Sequence, residues 1–496
     1  MAEYGQILLP AEAAGTQVRQ RFARQACVAQ YALQLAPRGA VECVADWERL
    51  KDALEVVTGR RDWKPNLHVA SKLADLCRRT DGRLYVVVSA DRVLDVHETE
   101  QAVYTVAFDM GTDYIAAYLL RAGATATEAT AGMQNPQMRY GEDVIQRAKC
   151  ALMRGPELLA ASSRGAIDHL IGRLCHKAGI ARDAVYAISL VGNTCMHHLF
   201  LGISPASLLK IPYSPVIREG LLLQASDYGV EAHPEALLLL PPVIAGFLGS
   251  DTVASMLTCH WERQERLTLL IDMDTNGEIV LGNCRRMVAC SVAAGPAFEG
   301  TAIACGMRTM KGAIDRVYLE HDGRVCYHVL GERAPKGLCG SGLIDLLSVL
   351  RRIGEIDESG RLRSGEYTLP GTNLTLSQRD VRELQMAKGA ICAGIRLLCR
   401  KLNVGVEEIE RTYIAGTFGS YIYPETACMI GLFPVELRHK ITHIGNAAGE
   451  GARLVLQDLD AWEQAEVFSA KTEYISLPAM PEFRDEFMEA MHFPAL

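Results

Sequence analysis

At 496 residues, 49% of them hydrophobic, the chain exceeds the roughly 250–300 residues at which a single core stops growing, so two or three domains are expected. A formal net charge of −8 with 22% charged residues leaves no basic stripe for a phosphate backbone, which argues against nucleic acid as a partner. No secretory or transit signal opens the sequence, and the longest apolar run, Ala236 to Leu248, is broken by two prolines and falls short of the about 20 residues a membrane span needs, so it reads as buried core in a cytoplasmic protein.

The 15 cysteines are scattered from Cys27 to Cys428 without a C-x-x-C pair, which argues against a disulfide framework and for small buried hydrophobes in a reducing compartment.

Residues 1–102 read as a small α/β module. A helix is expected from His68 to Arg79 and a strand from Leu84 to Val88. The module carries no Gly-rich loop and no clustered ligands, so a docking or linker role outweighs a catalytic one.

From about Tyr104 onward the chain repeats itself. VAFDMGTDYIA, from Val106, aligns without gaps on LLIDMDTNGEI, from Leu269, placing Asp109 over Asp272, Met110 over Met273 and Thr112 over Thr275. Each copy reads as an apolar strand, a polar tight turn and a second strand. LCHKAGIARDAVYAISLVG likewise resembles LCRKLNVGVEEIERTYIAG, with 17 positions from Cys175 to Gly192 and from Cys399 to Gly416. Each of these reads as the end of an amphipathic helix, a short connection, a buried strand and a glycine at its end. The expected architecture is a duplicated α/β domain, with one lobe over 103–265, a second over 266–496 and a central cleft that would hold a ligand.

Small residues in the two turns would leave backbone N–H groups free to cradle a polyphosphate, a role suited to Gly111 and Thr112 in the first copy and to Thr275, Asn276 and Gly277 in the second. Asp109 and Asp272 are placed to hold a hydrated magnesium ion. A single strand–Asp–x–Gly–Thr is a weak signal, because Asp and Gly favour any hairpin turn; two aligned copies are a stronger one. Gly192 with Asn193 and Thr194, and Gly416 with Phe418 and Gly419, suit close approach of backbone to adenosine or phosphate, or a helix entry capped by Asn or Thr.

With these motifs in place, the chain resembles the actin-like, sugar-kinase and Hsp70-type (ASKHA) ATPase domain, of RNase H-like fold, in the reductive activators of corrinoid proteins. The resemblance runs through YGEDVIQR (Tyr140 to Arg147), GNTCMHHLFLGISP, DTNGEIVLGN, AAGPAFEG, GLCGSGLID, LSQRDVRELQMAKGAI, YIAGTFGSYI and IGNAAGEGA, from about Val106 to Pro494. The upstream module, with ADWERL from Ala45, also looks like the middle domain of these activators. The resemblance implies ATP-driven return of Co(II) corrinoid to Co(I) for a cobalamin-dependent methyltransferase system. It implies ATP and Mg2+ as cofactors, Glu278 beside the two aspartates in catalysis, and Gly295, Glu299, Gly416, Gly419 and Asn446 at the nucleotide. It places Ser291 and Ser341 at the corrinoid-facing side, and leaves room for a homodimer.

The sequence departs from the family pattern in three places. No closely spaced cysteine ligands are present, so no iron–sulfur cluster is expected in this chain and a separate low-potential donor must supply electrons. Asp113 and Tyr114 replace hydroxyl residues of the first turn. Asp274 and Thr417 replace glycines. A carboxylate about 5 Å from a phosphate costs on the order of 3 kcal/mol at an effective dielectric near 20, roughly a hundredfold in affinity. Three alternatives therefore stay open: a degenerate relative that binds or chaperones a corrinoid protein without hydrolysing ATP; a dehydratase-activator-like ATPase with a 4Fe–4S cluster on Cys284, Cys290, Cys305 and Cys339; and a small-molecule kinase, for which no substrate base can be singled out.

Overall fold

The computed structural model describes residues 26–37, 43–273, 277–292, 295, 297–298, 300, 302–331, 333–416, 419 and 422–495. They form two compact units: the described part of 19–258 together with 448–470, and 259–447 together with 471–495.

The first unit opens with β1 (Val28–Gln34), α1 (Asp46–Thr58), α2 (Leu67–Arg79), β2 (Arg83–Ser89) and β3 (Arg92–His97), whose strands form an antiparallel sheet in that order. The expected helix and strand of this module appear within one residue of their predicted ends. Apolar residues four apart on α2, Val69, Leu73 and Cys77, share a core with Leu84, Val86 and Val93 of the sheet, and the Asn66 side chain caps the helix by accepting the His68 N–H.

Next come β4 (Tyr104–Met110), β5 (Tyr114–Arg121), β6 (Thr127–Gln134), α3 (Val144–Arg154), α4 (Glu157–Ala178), β7 (Val185–Val191), α5 (Thr194–Leu201), β8 (Leu221–Gln224), β9 (Leu237–Leu240) and α6 (Ser250–Thr258). The sheet order is β6-β5-β4-β7-β9-β8, with an antiparallel meander β4–β6 and parallel pairing of β4 with β7 and of β7 with β9. All seven residues of β7 are buried, as an interior parallel strand requires. The Ala236–Leu248 run is core, as its composition suggests; Phe247 alone is partly exposed.

In the second unit, β10 (Thr268–Met273), β11 (Gly277–Gly282) and β12 (Met287–Val292) form a meander, followed by β13 (Ala313–Leu319), β14 (Val325–Val329), β15 (Gly337–Leu338), α7 (Gly340–Arg352), the hairpin β16–β17 (Glu366–Thr368 and Thr375–Ser377), α8 (Gln378–Leu402), β18 (Arg411–Ala415), α9 (Pro424–Met429) and β19 (Ile441–Gly445). The chain re-enters the first unit with α10 (Ala447–Gln457) and α11 (Leu459–Lys471), then ends in the second with β20 (Thr472–Tyr474) and α12 (Phe483–Met491). The main sheet runs β19-β18-β10-β11-β12-β20. A reciprocal capping box, in which Ser377 Oγ accepts the Asp380 N–H and the Asp380 carboxylate accepts the Ser377 N–H, starts α8, which packs on β11 and β12.

The two main sheets share one plan. In each, a three-stranded meander is joined through its first strand to two parallel strands, β7 and β9 in one and β18 and β19 in the other. The register agrees as well: Asp109 pairs with Val191, the residue before Gly192, and Asp272 pairs with Ala415, the residue before Gly416. The repeat in the sequence is thus a repeat of topology and register.

Candidate functional site

In the first unit Asp109 is half-buried near the end of β4, opposite Ala116 on β5. Gly111 and Thr112 form the turn. The Gly111 carbonyl accepts from Asn135 Nδ2 at 2.9 Å, and the Thr112 carbonyl accepts from Arg147 Nη1 at 2.7 Å. Asn193 binds both the turn and the next helix. Its Oδ1 accepts the Met196 N–H at 3.0 Å, capping α5, and its Nδ2 donates to Thr112 Oγ1 at 3.3 Å. The capping role expected of the Gly192–Asn193–Thr194 segment is therefore met, on a helix entry that is tied to the first turn. Ser250, at the start of α6, accepts the Gly192 N–H at 3.1 Å and lies 2.8 Å from Nε2 of His197. Burial, aided by neighbouring His198, pushes His197 down to about 3, so it is neutral.

In the second unit Asp272 and Glu278 are direct cross-strand partners, and Glu278 in turn is opposite Ser291. Direct partners project to one side of a sheet, so Asp272, Glu278 and Ser291 form a row there, with Ala415 beyond Asp272. Asp272 and Glu278 are only 6% and 7% exposed. Gly277 precedes Glu278 in the strand. At the end of β18, Gly416 has φ +93, and a Cβ there would lie 2.8 Å from the Met273 carbonyl oxygen and 3.1 Å from Asp272 Oδ1. Its N–H donates to the Gly445 carbonyl at 3.0 Å, which brings the Asn446 end of β19 to the same edge. Gly295 follows β12, and Gly419 packs against Ile414, where a Cβ would lie 2.6 Å from its Cγ2. Thr275, Asn276 and Glu299 lie outside the described residues, as do Asp274, Thr417 and Phe418.

The gapless alignment of the two hairpins is corrected by the register. The residue opposite Asp272 is six positions on, at Glu278, whereas the residue opposite Asp109 is seven positions on, at Ala116. The first turn is one residue longer, so Ile115, which a gapless alignment sets over Glu278, points to the other face. The first copy has no carboxylate at the Glu278 position. Tyr114 instead folds back over the sheet, where a Cβ on Gly132 would be 2.7 Å from its Cζ.

Ser341 stands apart from this row. It is 3% exposed at the start of α7, and its hydroxyl donates to the Asp315 carbonyl at 2.9 Å. Of the four cysteines weighed as cluster ligands, Cys290, Cys305 and Cys339 are buried; burial raises Cys290 strongly and Cys305 to about 11.

Among the described residues, one group of His, Cys, Asp or Glu side chains lies close enough to share a metal ion: His68, Asp95 and His233. Its hydrogen bonds point to a different role. Lys72 Nζ already lies 2.9 Å from both Asp95 Oδ1 and His68 Nε2. His233 Nδ1 accepts the Glu235 N–H at 3.1 Å, so a neutral ring carries its proton on Nε2, directed at Asp95 Oδ2 3.0 Å away. Asp95 is thus an anionic hub joining α2 and β3 to the segment before β9. Sequence reasoning missed it, because Asp95 and His233 lie 138 positions apart along the chain.

The two matching sheets, each with an acidic first strand and a glycine-ended neighbour, define a duplicated fold of the actin-like ASKHA class. Three family models match consecutive stretches: the RACo linker region over residues 18–102, the RACo middle region over 104–264 and the C-terminal ASKHA domain of RACo over 266–496. The likeness of the upstream module to a middle domain is thereby corrected: that module matches the linker region, and the middle region is the stretch after it. A corrinoid activation enzyme, RamQ, of Eubacterium limosum is 33% identical over 439 residues, covering 82% of this chain and 73% of that protein. A Co(II) methylated amine-specific corrinoid protein reductase of Methanosarcina barkeri is 26% identical, with 72% and 70% covered. The solved structure of a reductive activator for a corrinoid, iron–sulfur protein superposes with a TM-score of 0.85 at 30% identity, over 96% of this chain and 80% of that one. The chain belongs to the RACo family of reductive activators of corrinoid proteins.

Proposed function

We propose that this protein reactivates a corrinoid protein of a methyltransferase system, returning its cobalt from Co(II) to Co(I) at the expense of ATP with an electron from a separate low-potential donor. The observation that carries the reading is the identity of 33% across 82% of the chain to a corrinoid activation enzyme. The second unit supplies residues that fit Mg-ATP. Two nearly buried carboxylates, Asp272 and Glu278, face each other across neighbouring strands, an arrangement that a divalent cation stabilises. Magnesium would supply charge neutralisation of the phosphates when bound. Ser291 extends the row, and the edge at Gly416 and Asn446 allows close approach of a ligand to backbone. In the first unit the Gly111–Thr112 turn offers backbone amides suited to phosphate oxygens, and Asp109 offers a carboxylate suited to hydrated magnesium.

The test is anaerobic. Purified protein, a Co(II) corrinoid protein of a methyltransferase system, titanium(III) citrate and Mg-ATP are mixed, and the Co(I) absorption is followed. ATP-dependent appearance of Co(I) is expected; the same rate with and without ATP and protein sinks the reading.

A second reading rests on Asp113, a carboxylate set in the first phosphate turn: a protein that binds the corrinoid partner without hydrolysing ATP. Stable association with that partner and no ATPase above a blank would favour it.

A further inference from the structure

Two side chains that the family motifs do not assign to nucleotide binding reach the first turn from the protein interior. Asn135 is 1% exposed and Arg147 is 0% exposed. Asn135 Oδ1 accepts the Gln137 N–H at 3.0 Å, which forces its Nδ2 to face the Gly111 carbonyl at 2.9 Å. Arg147 is equally constrained. Its Nε donates to the Gly141 carbonyl at 2.9 Å and its Nη1 to the Thr112 carbonyl at 2.7 Å.

In a trans peptide the C=O and N–H point in opposite directions. With the Gly111 carbonyl drawn inward by Asn135, the Thr112 N–H of the same peptide is turned outward. With the Thr112 carbonyl drawn inward by Arg147, the Asp113 N–H is turned outward too. Two successive outward N–H groups make a concave anion site.

We infer that Asn135 and Arg147 are positioning residues of the first phosphate turn, holding its carbonyls inward so that the Thr112 and Asp113 amides present themselves to the phosphates of a nucleotide. The inference rests on the nucleotide reading above. Arg147 does a second job: burial lowers its pKa while the nearby Asp113 and Asp143 carboxylates act against that, so the guanidinium offsets the charge that Asp113 brings into the turn. An acidic residue in this turn is thereby compatible with an anionic ligand.

The test uses the full chain and two variants, with ATP, pyrophosphate and adenosine as calorimetric ligands in the presence of magnesium. Asn135→Asp keeps the acceptor for Gln137 and sets an oxygen against the Gly111 carbonyl. Arg147→Lys keeps the charge and loses the planar fork. Each is expected to weaken ATP and pyrophosphate by about tenfold or more, the equivalent of one lost charge-assisted hydrogen bond, and to leave adenosine unchanged. A residue that merely supports the fold would alter adenosine as much as ATP. Circular dichroism identifies a variant that has failed to fold, in which case the other decides. Wild-type binding of ATP with both variants unchanged, or with adenosine and ATP lost in parallel, overturns this inference alone. Absence of ATP and pyrophosphate binding in the wild type overturns the nucleotide reading and this inference with it.

Discussion

Asp272 and Glu278 sit directly opposite each other on β10 and β11, each less than a tenth exposed, so two carboxyl groups share one nearly dry patch of sheet. Like charges directly opposite destabilise a strand pair by roughly 0.2–1 kcal/mol, and a cation between them reverses the sign. Millimolar magnesium should therefore raise the melting temperature of the wild type. Glu278→Gln should lose the magnesium-induced rise. Differential scanning fluorimetry with and without magnesium checks both; an undiminished rise in the variant contradicts the cation role.

A side chain in place of Gly416 would press on the same carboxylate. Alanine there meets the Met273 carbonyl and Asp272 Oδ1 in a left-handed backbone conformation, whereas Gly123 has a similar φ of +75 with no atom within 4 Å of its Cβ position. Gly123→Ala should cost about 1 kcal/mol, through conformation alone. Gly416→Ala should cost about 2 kcal/mol or more and also weaken magnesium binding, since Asp272 must move. Urea denaturation of the two variants side by side measures the difference.

The Asp95 hub makes stability acid-sensitive. Burial works against its charge, but hydrogen bonds from His233, His97 and Lys72 and from the Val96 N–H overrule it and hold the carboxyl well below the usual range. A folded-state pKa below the unfolded one gives a contribution that is complete above the unfolded value, near 4, and is lost as pH falls through the folded one. Asp95→Asn should be less stable than wild type by about 3 kcal/mol at pH 7, and the gap should close only below about pH 4. Thermal melts of both proteins from pH 3 to pH 7 test this; a gap independent of pH across that range would refute it.

The last residues are fastened by side chains. Lys388, 0% exposed on α8, donates to the carbonyls of Ala490 at 2.7 Å and His492 at 2.6 Å, while Gln385 and Arg351 donate to those of Met491 and Pro494, both at 2.8 Å. Lys388→Met fills the same space and strands two carbonyls. A loss of about 2 kcal/mol in urea denaturation and new tryptic or chymotryptic cleavage near the C terminus are expected.

Much of this was readable along the chain. The helix at His68, the strand at Leu84, the buried run from Ala236 and both strand–turn–strand units follow from periodicity and turn chemistry, which act between residues a few positions apart. Asn193 as a cap was readable for the same reason. The one-residue difference between the two turns was not, because a gapless match of similar letters says nothing about which residues pair across strands. Asn135 and Arg147 stood inside or beside quoted motifs, yet their work is done on carbonyls 24 and 35 positions away.

The sequence alone determined the duplication, the acidic turns and the family, since all three are written in local patterns that repeat or match. Only the tertiary structure decided that Asp272, Glu278 and Ser291 share a face, that Ser341 turns inward, and that an interior arginine answers Asp113. Those relationships depend on strand register and on packing between distant segments, where a shift of one residue exchanges the two faces of a sheet.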